Sequence, residues 1–224
     1  MEAGSGLRDG TAVQDPTQGE AGRARQASPA PVETKPITSD PGPLGLAAFA
    51  LTTFVLSMFN SGLVSEAGLP VVLGLALAYG GLAQLLAGMW EFRTGNTFGA
   101  VAFTSYGAFW LSFWAFEAFY AKDITSEVTT GHAVGLYLIG WGIFTAYMFI
   151  ASMRVSVAVA VVFALLAVTF IVLGIGDATA NADVSKAGGF IGIATAIAAW
   201  YASFAAVANS TFGRTILPVK ELKR

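Results

Sequence analysis

Six apolar stretches, each 20 to 24 residues long, follow one another after residue 40 and constrain how this chain can fold. That length matches what an α-helix needs to cross about 30 Å of hydrocarbon. A helix also satisfies its own backbone polar groups, which lipid cannot do. All eight prolines lie before Leu44 or at Pro70 and Pro218, so none interrupts a stretch. The six stretches are Leu44–Val64, Val71–Trp90, Thr97–Tyr120, Ala133–Ser152, Val155–Ile175 and Ala187–Ala208.

Only Met153 and Arg154 separate the fourth stretch from the fifth. A single helix over both would have 43 residues, which is far too long for one crossing of a bilayer. We therefore predict two helices here. The predicted fold is an all-α integral membrane protein with six transmembrane helices.

Residues 1–37 have a different composition, with many small, polar and charged residues and almost no large apolar side chains. Such a segment cannot bury enough apolar surface to offset its ordering entropy, so we predict a disordered N-terminal tail. It also lacks the apolar core of a signal peptide. The predicted organisation is this tail, a six-helix transmembrane domain over residues 38–213 and a short cytoplasmic C-terminal tail over residues 214–224.

The distribution of Lys and Arg predicts the orientation, because these residues favour the cytoplasmic side of a membrane. With the N-terminus in the cytoplasm, ten of the twelve fall on that side, and only Lys122 and Lys186 fall outside. Leaving out the N-terminal tail still gives six against two. We expect both termini to be cytoplasmic.

The residue inventory argues against several chemistries. The chain has no cysteine and one histidine, His132, and no lysine lies inside an apolar stretch. Thiol catalysis, haem ligation and a Schiff base to retinal therefore have no candidate residues, and we predict no metal, no cofactor and no enzymatic activity. A net charge of −2 without a basic cluster in the body of the chain argues against nucleic acid as a partner.

The stretch GNTFGAVAFTSYGAFW, Gly95–Trp110, carries hydrogen-bonding side chains within an apolar run. Asn96 is a predicted N-cap. On the helix that follows, Thr97 and Thr104 share a face, and Tyr106 points about 160° away from Thr104. We expect the Thr face to hydrogen-bond to other helices and Tyr106 to face a central path. Uncharged polar side chains are typical of a path for a small polar solute, and the further candidates are Asn60, Gln84, Asn96 and Thr97.

Glu117 allows two interpretations. It lies eleven residues after Tyr106, on the same helical face, and an intramembrane carboxylate is a candidate functional group. Alternatively, it reaches the headgroup region, because Lys122 and Asp123 follow at once. For Glu91 and Arg93, at the end of the second helix, we expect an interfacial ion pair.

Small residues recur at helix-packing intervals in the second and sixth stretches. Gly74, Gly81 and Gly88 are seven residues apart, whereas Gly188 and Gly192 begin a series that continues on nearly the same side. This pattern is typical of closely packed membrane helices. A pore lined by exposed backbone is the alternative. The series in the sixth stretch continues with Ala196, Ala199 and Ser203.

Several motifs resemble one membrane protein family, the acetate uptake transporters, also called succinate–acetate permeases. DPGPLGL resembles the NPAPLGL signature that opens the family, and GNTFGAVAFTSYGAFW belongs to the same resemblance, which covers about residues 38 to 219. The other matching runs are YGGLAQLLAG (Tyr79–Gly88), GLYLIGWGIFTAYMF (Gly135–Phe149) and FGRTILP (Phe212–Pro218). The signature residues are Asp40, Pro41, Gly42, Pro43, Leu44, Gly45 and Leu46. Asp40 and Gly42 depart from the family's Asn and Ala, and Asp40 adds a negative charge near the expected mouth of the pathway.

The resemblance implies a multi-pass plasma-membrane protein in which each protomer of a homo-hexamer has its own pathway. The expected solutes are acetate, other small monocarboxylates and, less well, succinate, with either passive conduction or coupling to protons. It places an apolar–aromatic constriction at Phe49, Tyr106 and Leu166, and makes the size of Ala199 a determinant of which acids pass.

Two other classes of function stay open from the sequence. One is a channel for small neutral solutes, which the sparse internal charge fits equally well. The other is a membrane sensor or scaffold that transports nothing and uses its N-terminal tail.

Overall fold

The computed structural model describes residues 38–124, 126–220 and 222, apart from the side chain of Glu66, and within these residues the chain is built from helices. The predicted disordered tail, residues 1–37, lies outside the described residues. The long helices of the described part are α1 (Gly42–Asn60), α2 (Pro70–Thr94), α3 (Thr97–Ala115), α4 (Glu127–Ser152), α5 (Val157–Ala178) and α6 (Ala182–Phe212).

Each long helix overlaps one predicted stretch, although α4 and α6 extend beyond theirs, and proline or a short polar residue marks several of the helix starts. Pro70 lies at the first position of α2, where its missing N–H costs nothing. Ser156 separates α4 from α5 and accepts a hydrogen bond from the N–H of Val159. The prediction of two helices on either side of Met153 and Arg154 is therefore confirmed.

Five of these helices are long and apolar enough to cross a membrane, namely all except α3. Helix α3 has only 19 residues, and the polar residues Thr104, Ser105 and Tyr106 among them lower its mean hydropathy. A π-helical turn, Phe116–Tyr120, and a 3₁₀ turn, Ala121–Asp123, continue it. Helix length and hydropathy in the structure thus give five crossings, whereas the sequence pattern predicts six.

The helices pack in a ring around one aromatic centre. Helix α1 packs against α6 and α2, α5 lies between α4 and α6, and α3 packs mainly against α2. Among helices that are neighbours in the ring, the backbones of α3 and α4 approach each other least, so this side of the ring is closed by side chains. The buried cluster at the centre receives residues from all six helices. This arrangement gives the molecule an interior on which several helices converge.

The predicted small-residue seams are confirmed in α6 and only partly in α2. Gly192 lies directly against the side chain of Ser57 in α1, and Gly88 lies against Thr104 in α3. Gly74, in contrast, is exposed, and a side chain there would meet no atom within 4 Å. The cause is a π-helical turn, Ala78–Ala83, inside α2. Because a π turn holds more residues than an α turn, it rotates Gly74 away from the face of Gly81 and Gly88.

Candidate functional site

Tyr106 lies at the centre of the ring with its side chain 3% exposed. Its hydroxyl lies 2.9 Å from the hydroxyl of Thr145, which also donates to the carbonyl of Trp141 in the same helix. Five aromatic rings surround it, at centroid distances of 5.4 Å (Phe144), 6.0 Å (Phe49, Trp141, Phe163) and 6.5 Å (Phe170). The site is therefore apolar and aromatic, with one hydroxyl pair inside it.

The three predicted constriction residues converge in this cluster from three helices. Phe49 comes from α1, Tyr106 from α3 and Leu166 from α5, and each is at least 95% buried. Ala199 of α6 belongs to the same cluster and is fully buried. Their convergence is a fact of the fold, whereas their role as a constriction stays a prediction.

A cavity of about 390 Å³ lies next to the cluster, toward the end of the bundle where α1 ends. Phe109, one helical turn after Tyr106, lines it, and its ring centroid lies 5.2 Å from that of Phe170. Polar groups in the otherwise apolar wall come from Asn60, Ser112, Glu117, Tyr137, Asp177 and Ser185. We call this space the acidic vestibule because of its two carboxylates.

Tyr137 holds one wall of the acidic vestibule in place. Its hydroxyl donates to the carbonyl of Phe109 at 3.1 Å and lies 2.7 Å from the hydroxyl of Ser112. These contacts tie α4 to α3 beside the point where Tyr106 and Thr145 do the same. Hydroxyl, amide and carboxylate groups thus line the vestibule, and the aromatic cluster lies beside it.

The other predicted pathway residues divide into two groups. Asn60 and Glu117 line the acidic vestibule, and Glu117 is half-buried there, whereas its functional role stays a prediction. Gln84 is 1% exposed in α2, and its Oε1 has no hydrogen-bond partner among the described residues. Asn96 and Thr97 lie exposed at the start of α3, away from the aromatic cluster. There Asn96 accepts a hydrogen bond from the N–H of Gly99 at 3.1 Å, which confirms the N-cap prediction.

The prediction that the Thr face of α3 hydrogen-bonds to other helices is wrong. Thr97 is exposed, and the Thr104 hydroxyl is buried against Gly88 without a hydrogen-bond partner in the described part of the chain. The close approach to Gly88 leaves no room for a polar side chain opposite Thr104. This face of α3 contributes packing, whereas Tyr106, Ser112 and the carbonyl of Phe109 make the hydrogen bonds that join α3 to α4.

The signature motif anchors the start of α1. Asp40 accepts a hydrogen bond from the N–H of Gly42 at 2.8 Å, so its charge is engaged at the helix N-terminus. The carbonyl of Pro43 accepts a hydrogen bond from Ser203 of α6 at 2.7 Å. A Cβ at position 45 would lie 2.6 Å from the ring of Phe103. The motif therefore sets the positions of α1, α3 and α6, which carry Phe49, Tyr106 and Ala199.

Glu91 and Arg93 do not form the expected ion pair; the one salt bridge among the described residues joins Lys186 to Asp183. Glu91 is 2% exposed, and Oε2 accepts a hydrogen bond from the Thr94 hydroxyl at 3.0 Å. Arg93 is exposed. Helical geometry explains the error, because residues two apart lie on opposite sides of a helix.

Sequence reasoning missed most of the aromatic surroundings of Tyr106 and one of the two vestibule carboxylates, Asp177. For some of the missed rings, the spacing in the sequence could have identified them. Phe109 lies three residues after Tyr106, and Phe163 and Phe170 lie three before and four after Leu166, which are the spacings of one helical face. Trp141, Phe144 and Thr145 come from α4, and their spacing does not connect them to Tyr106.

Comparison with known proteins shows a consistent set of similarities. The profile of the GPR1/FUN34/yaaH family matches residues 22–224. Acetate permease A of Emericella nidulans is 44% identical over 195 residues, and Ammonia transport outward protein 2 of Saccharomyces cerevisiae is 44% identical over 190 residues. Each match covers 81% of this chain and 65% of the fungal protein, so the chain spans less than two thirds of these relatives.

Bacterial relatives match over almost their whole length. The Succinate-acetate/proton symporter SatP of Escherichia coli K12 is 38% identical over 183 residues, which is 82% of this chain and 96% of SatP. A solved structure of the bacterial acetate channel SatP superimposes with a TM-score of 0.75 at 38% identity, covering 81% of this chain and 99% of that one. The fold and the motifs thus point to the same group of proteins.

Proposed function

Because this chain belongs to the GPR1/FUN34/yaaH family, we propose that it carries acetate and related small carboxylates across a membrane. The observation that carries the proposal is the buried aromatic cluster around Tyr106, which adjoins the acidic vestibule. The names of the bacterial relative and of the solved SatP structure agree with this function.

The proposed membrane arrangement has six crossings, with α3 as the sixth. The buried side of α3 holds Tyr106, Phe109 and Trp110. The polar residues of α3 lower its mean hydropathy, but the helix contains no charged residue that would face lipid. Both termini are cytoplasmic in this arrangement, and the acidic vestibule opens to the outside. By family resemblance the protein is a multi-pass plasma-membrane homo-hexamer with one pathway in each protomer.

In the proposed mechanism, Phe49, Tyr106 and Leu166 form the narrowest point. Acetate has a methyl end that fits an apolar ring and a carboxylate end that needs hydrogen bonds. The Tyr106 hydroxyl, held in place by Thr145, supplies the polar contact at this level. No Lys or Arg is buried among the described residues, so no fixed positive charge binds the anion tightly at the constriction, and conduction requires such weak binding.

Protonation of the solute is part of this proposal. Removing a carboxylate from water into an apolar site costs several kcal/mol, which favours the neutral acid at the constriction. Either passive passage of acetic acid or transport of acetate together with a proton meets this requirement. The SatP relative named a symporter supports proton coupling, whereas the solved SatP structure, named a channel, supports passive passage.

A second candidate function is the passage of a small neutral solute, and one observation favours it. The relative from Saccharomyces cerevisiae is named for ammonia transport and is as similar to this chain as the acetate permease. Ammonia is small and uncharged, and the hydroxyl groups near the aromatic cluster could exchange hydrogen bonds with it.

The test is uptake of radiolabelled acetate by proteoliposomes that contain the purified full-length protein, with and without an inward proton gradient. Acetic acid crosses lipid unaided, so empty liposomes and a Tyr106→Ala variant serve as controls. We expect uptake above both controls, and a gradient response larger than that of empty liposomes indicates proton coupling. Acetate uptake equal to that of empty liposomes, together with protein-dependent ammonia flux measured by an internal pH dye, would favour the second candidate instead.

A further inference from the structure

The acidic vestibule is negatively charged, which is unexpected for a space that an anion enters. Glu117 comes from the turn that continues α3 and Asp177 from the last turn of α5, and both line the same cavity of about 390 Å³. None of the described lining residues is a Lys, Arg or His. The cavity thus gathers two carboxylates without a positive charge in its wall.

Few hydrogen bonds or ion pairs offset the negative charge of the two carboxylates. Asp177 accepts one long hydrogen bond, at 3.4 Å, from the hydroxyl of Ser185. Glu117 makes no hydrogen bond or ion pair within 38–124, 126–220 and 222. An adjoining cavity of about 460 Å³ shares Asn60 and Asp177 with the vestibule and is lined by one cationic residue, Lys186.

Lys186 offsets the negative charge of the vestibule only weakly. Its Nζ lies 3.9 Å from Asp183 Oδ1, and the two side chains are 54% and 95% exposed. An exposed pair of this kind is solvated and screened. The charge of the vestibule itself is therefore set by Glu117 and Asp177.

Repulsion from two fixed carboxylates grows with the charge of the entering solute. A protonated acid is not repelled, a monoanion is repelled once, and a dicarboxylate dianion is repelled twice as strongly. The remaining polar groups of the wall, from Asn60, Ser112 and Tyr137, carry no formal charge, so none of them places a positive charge opposite the two carboxylates. The vestibule consequently discriminates by charge, before the constriction discriminates by size.

We propose that Glu117 and Asp177 are specificity-determining residues that make the pathway favour protonated and singly charged monocarboxylic acids over dicarboxylate dianions. This inference rests on the proposed function, because it concerns the same pathway. It adds Asp177 to the pathway and gives both carboxylates a role in choosing the substrate.

The experiment measures uptake of labelled acetate and labelled succinate by proteoliposomes at about pH 7.5, where both carboxyl groups of succinate are ionised. The proteins compared are the wild type, the single variants Glu117→Gln and Asp177→Asn, and the double variant. A matched control is the double variant Asp123→Asn/Glu127→Gln. It removes the same two charges from exposed positions at the same end of the molecule, outside the vestibule lining.

The expected result is a succinate-to-acetate uptake ratio about tenfold higher in the Glu117→Gln/Asp177→Asn variant than in the wild type, as Coulomb repulsion in a partly buried site suggests. The single variants should fall between, and the exposed control should match the wild type. Acetate uptake shows in the same preparation that each variant is folded. An unchanged ratio, or an equal rise in the exposed control, overturns the inference while acetate uptake by the wild type leaves the proposed function standing. Absence of acetate uptake in the wild type overturns both.

Discussion

The hydroxyl groups of Tyr106 in α3 and Thr145 in α4 lie 2.9 Å apart at the centre of the helix ring. This contact crosses the side of the ring where backbones approach each other least. It can therefore serve two tasks, to hold α3 and α4 together and to offer a hydroxyl to a passing solute. Because Thr145 also donates to the carbonyl of Trp141, its proton is committed. The Tyr106 hydroxyl then donates its proton to Thr145, and its oxygen can accept a hydrogen bond from water or from the solute.

The two tasks can be separated by comparing Tyr106→Phe with Thr145→Val. Both changes remove the hydrogen bond, which should cost each protein about 1 kcal/mol of stability. Only Tyr106→Phe removes the hydroxyl that the proposed mechanism needs. We expect acetate uptake in proteoliposomes to fall severalfold in Tyr106→Phe and to stay near the wild-type rate in Thr145→Val. Equal losses in both variants would assign the hydroxyl a purely structural task.

Leu166→Ala tests the proposed constriction. The variant removes a 96% buried side chain beside Phe49 and Tyr106, so the opening should widen and acids larger than acetate should enter. Burial also predicts a stability loss of about 2–5 kcal/mol, which a thermal melt in detergent would register. The measurement is competition of acetate uptake by a series of longer and branched monocarboxylates. Val168→Ala, at a 46% exposed position of the same helix, is the control. A competition profile that matches the control would contradict the assignment of Leu166.

The helices were predictable because their signal is local. Length, apolar composition and the absence of internal proline determine each of them, and the short polar residues Asn96 and Ser156 determine where two of them start. The π turn Ala78–Ala83 was not predictable in this way. It rotates Gly74 out of the packing face, although the seven-residue spacing that predicted this glycine is regular.

Site residues were predictable only where the spacing within one helix or the family resemblance identified them. Phe49 and Leu166 would pass for ordinary apolar residues on spacing alone, and the resemblance singled them out. The partnership of Tyr106 with Thr145 joins residues 39 positions apart, so it depends on how α3 and α4 meet. Asp177 was missed for the same reason, because it reaches the vestibule from the end of a helix that carries no other charge.

Gly45→Ala should destabilise the protein although alanine favours helices. A Cβ at this position would lie 2.6 Å from Cδ1 and 2.7 Å from Cγ of Phe103. Because Cγ is the ring atom nearest the backbone, α1 and α3 would have to move apart. Overpacking of this kind costs about 1–3 kcal/mol. Gly74→Ala is the matched control, because a Cβ there meets no atom within 4 Å. The measurement is the Tm of each variant in detergent. A Tm of Gly45→Ala equal to that of Gly74→Ala would show that Phe103 can move aside at no cost.

Glu91→Gln should lower stability, whereas Arg93→Gln should change it less. The Glu91 carboxylate lies between the first turns of two helices. Its Oε1 would be 3.4 Å from a Cβ at position 42 in α1 and 2.6 Å from one at position 99 in α3, so glycine at these positions leaves room for it. Helix N-termini favour a negative charge by about 0.3–2 kcal/mol each. Arg93 is exposed and makes no ion pair with Glu91, so removing its charge should cost only the small stabilisation, about 0.3–1 kcal/mol at most, that a cation gives in the last turn of a helix. Thermal melts of both variants in the same detergent decide the matter. A rise in Tm for Glu91→Gln would mean that the cost of burying the carboxylate exceeds the stabilisation from the two helix starts.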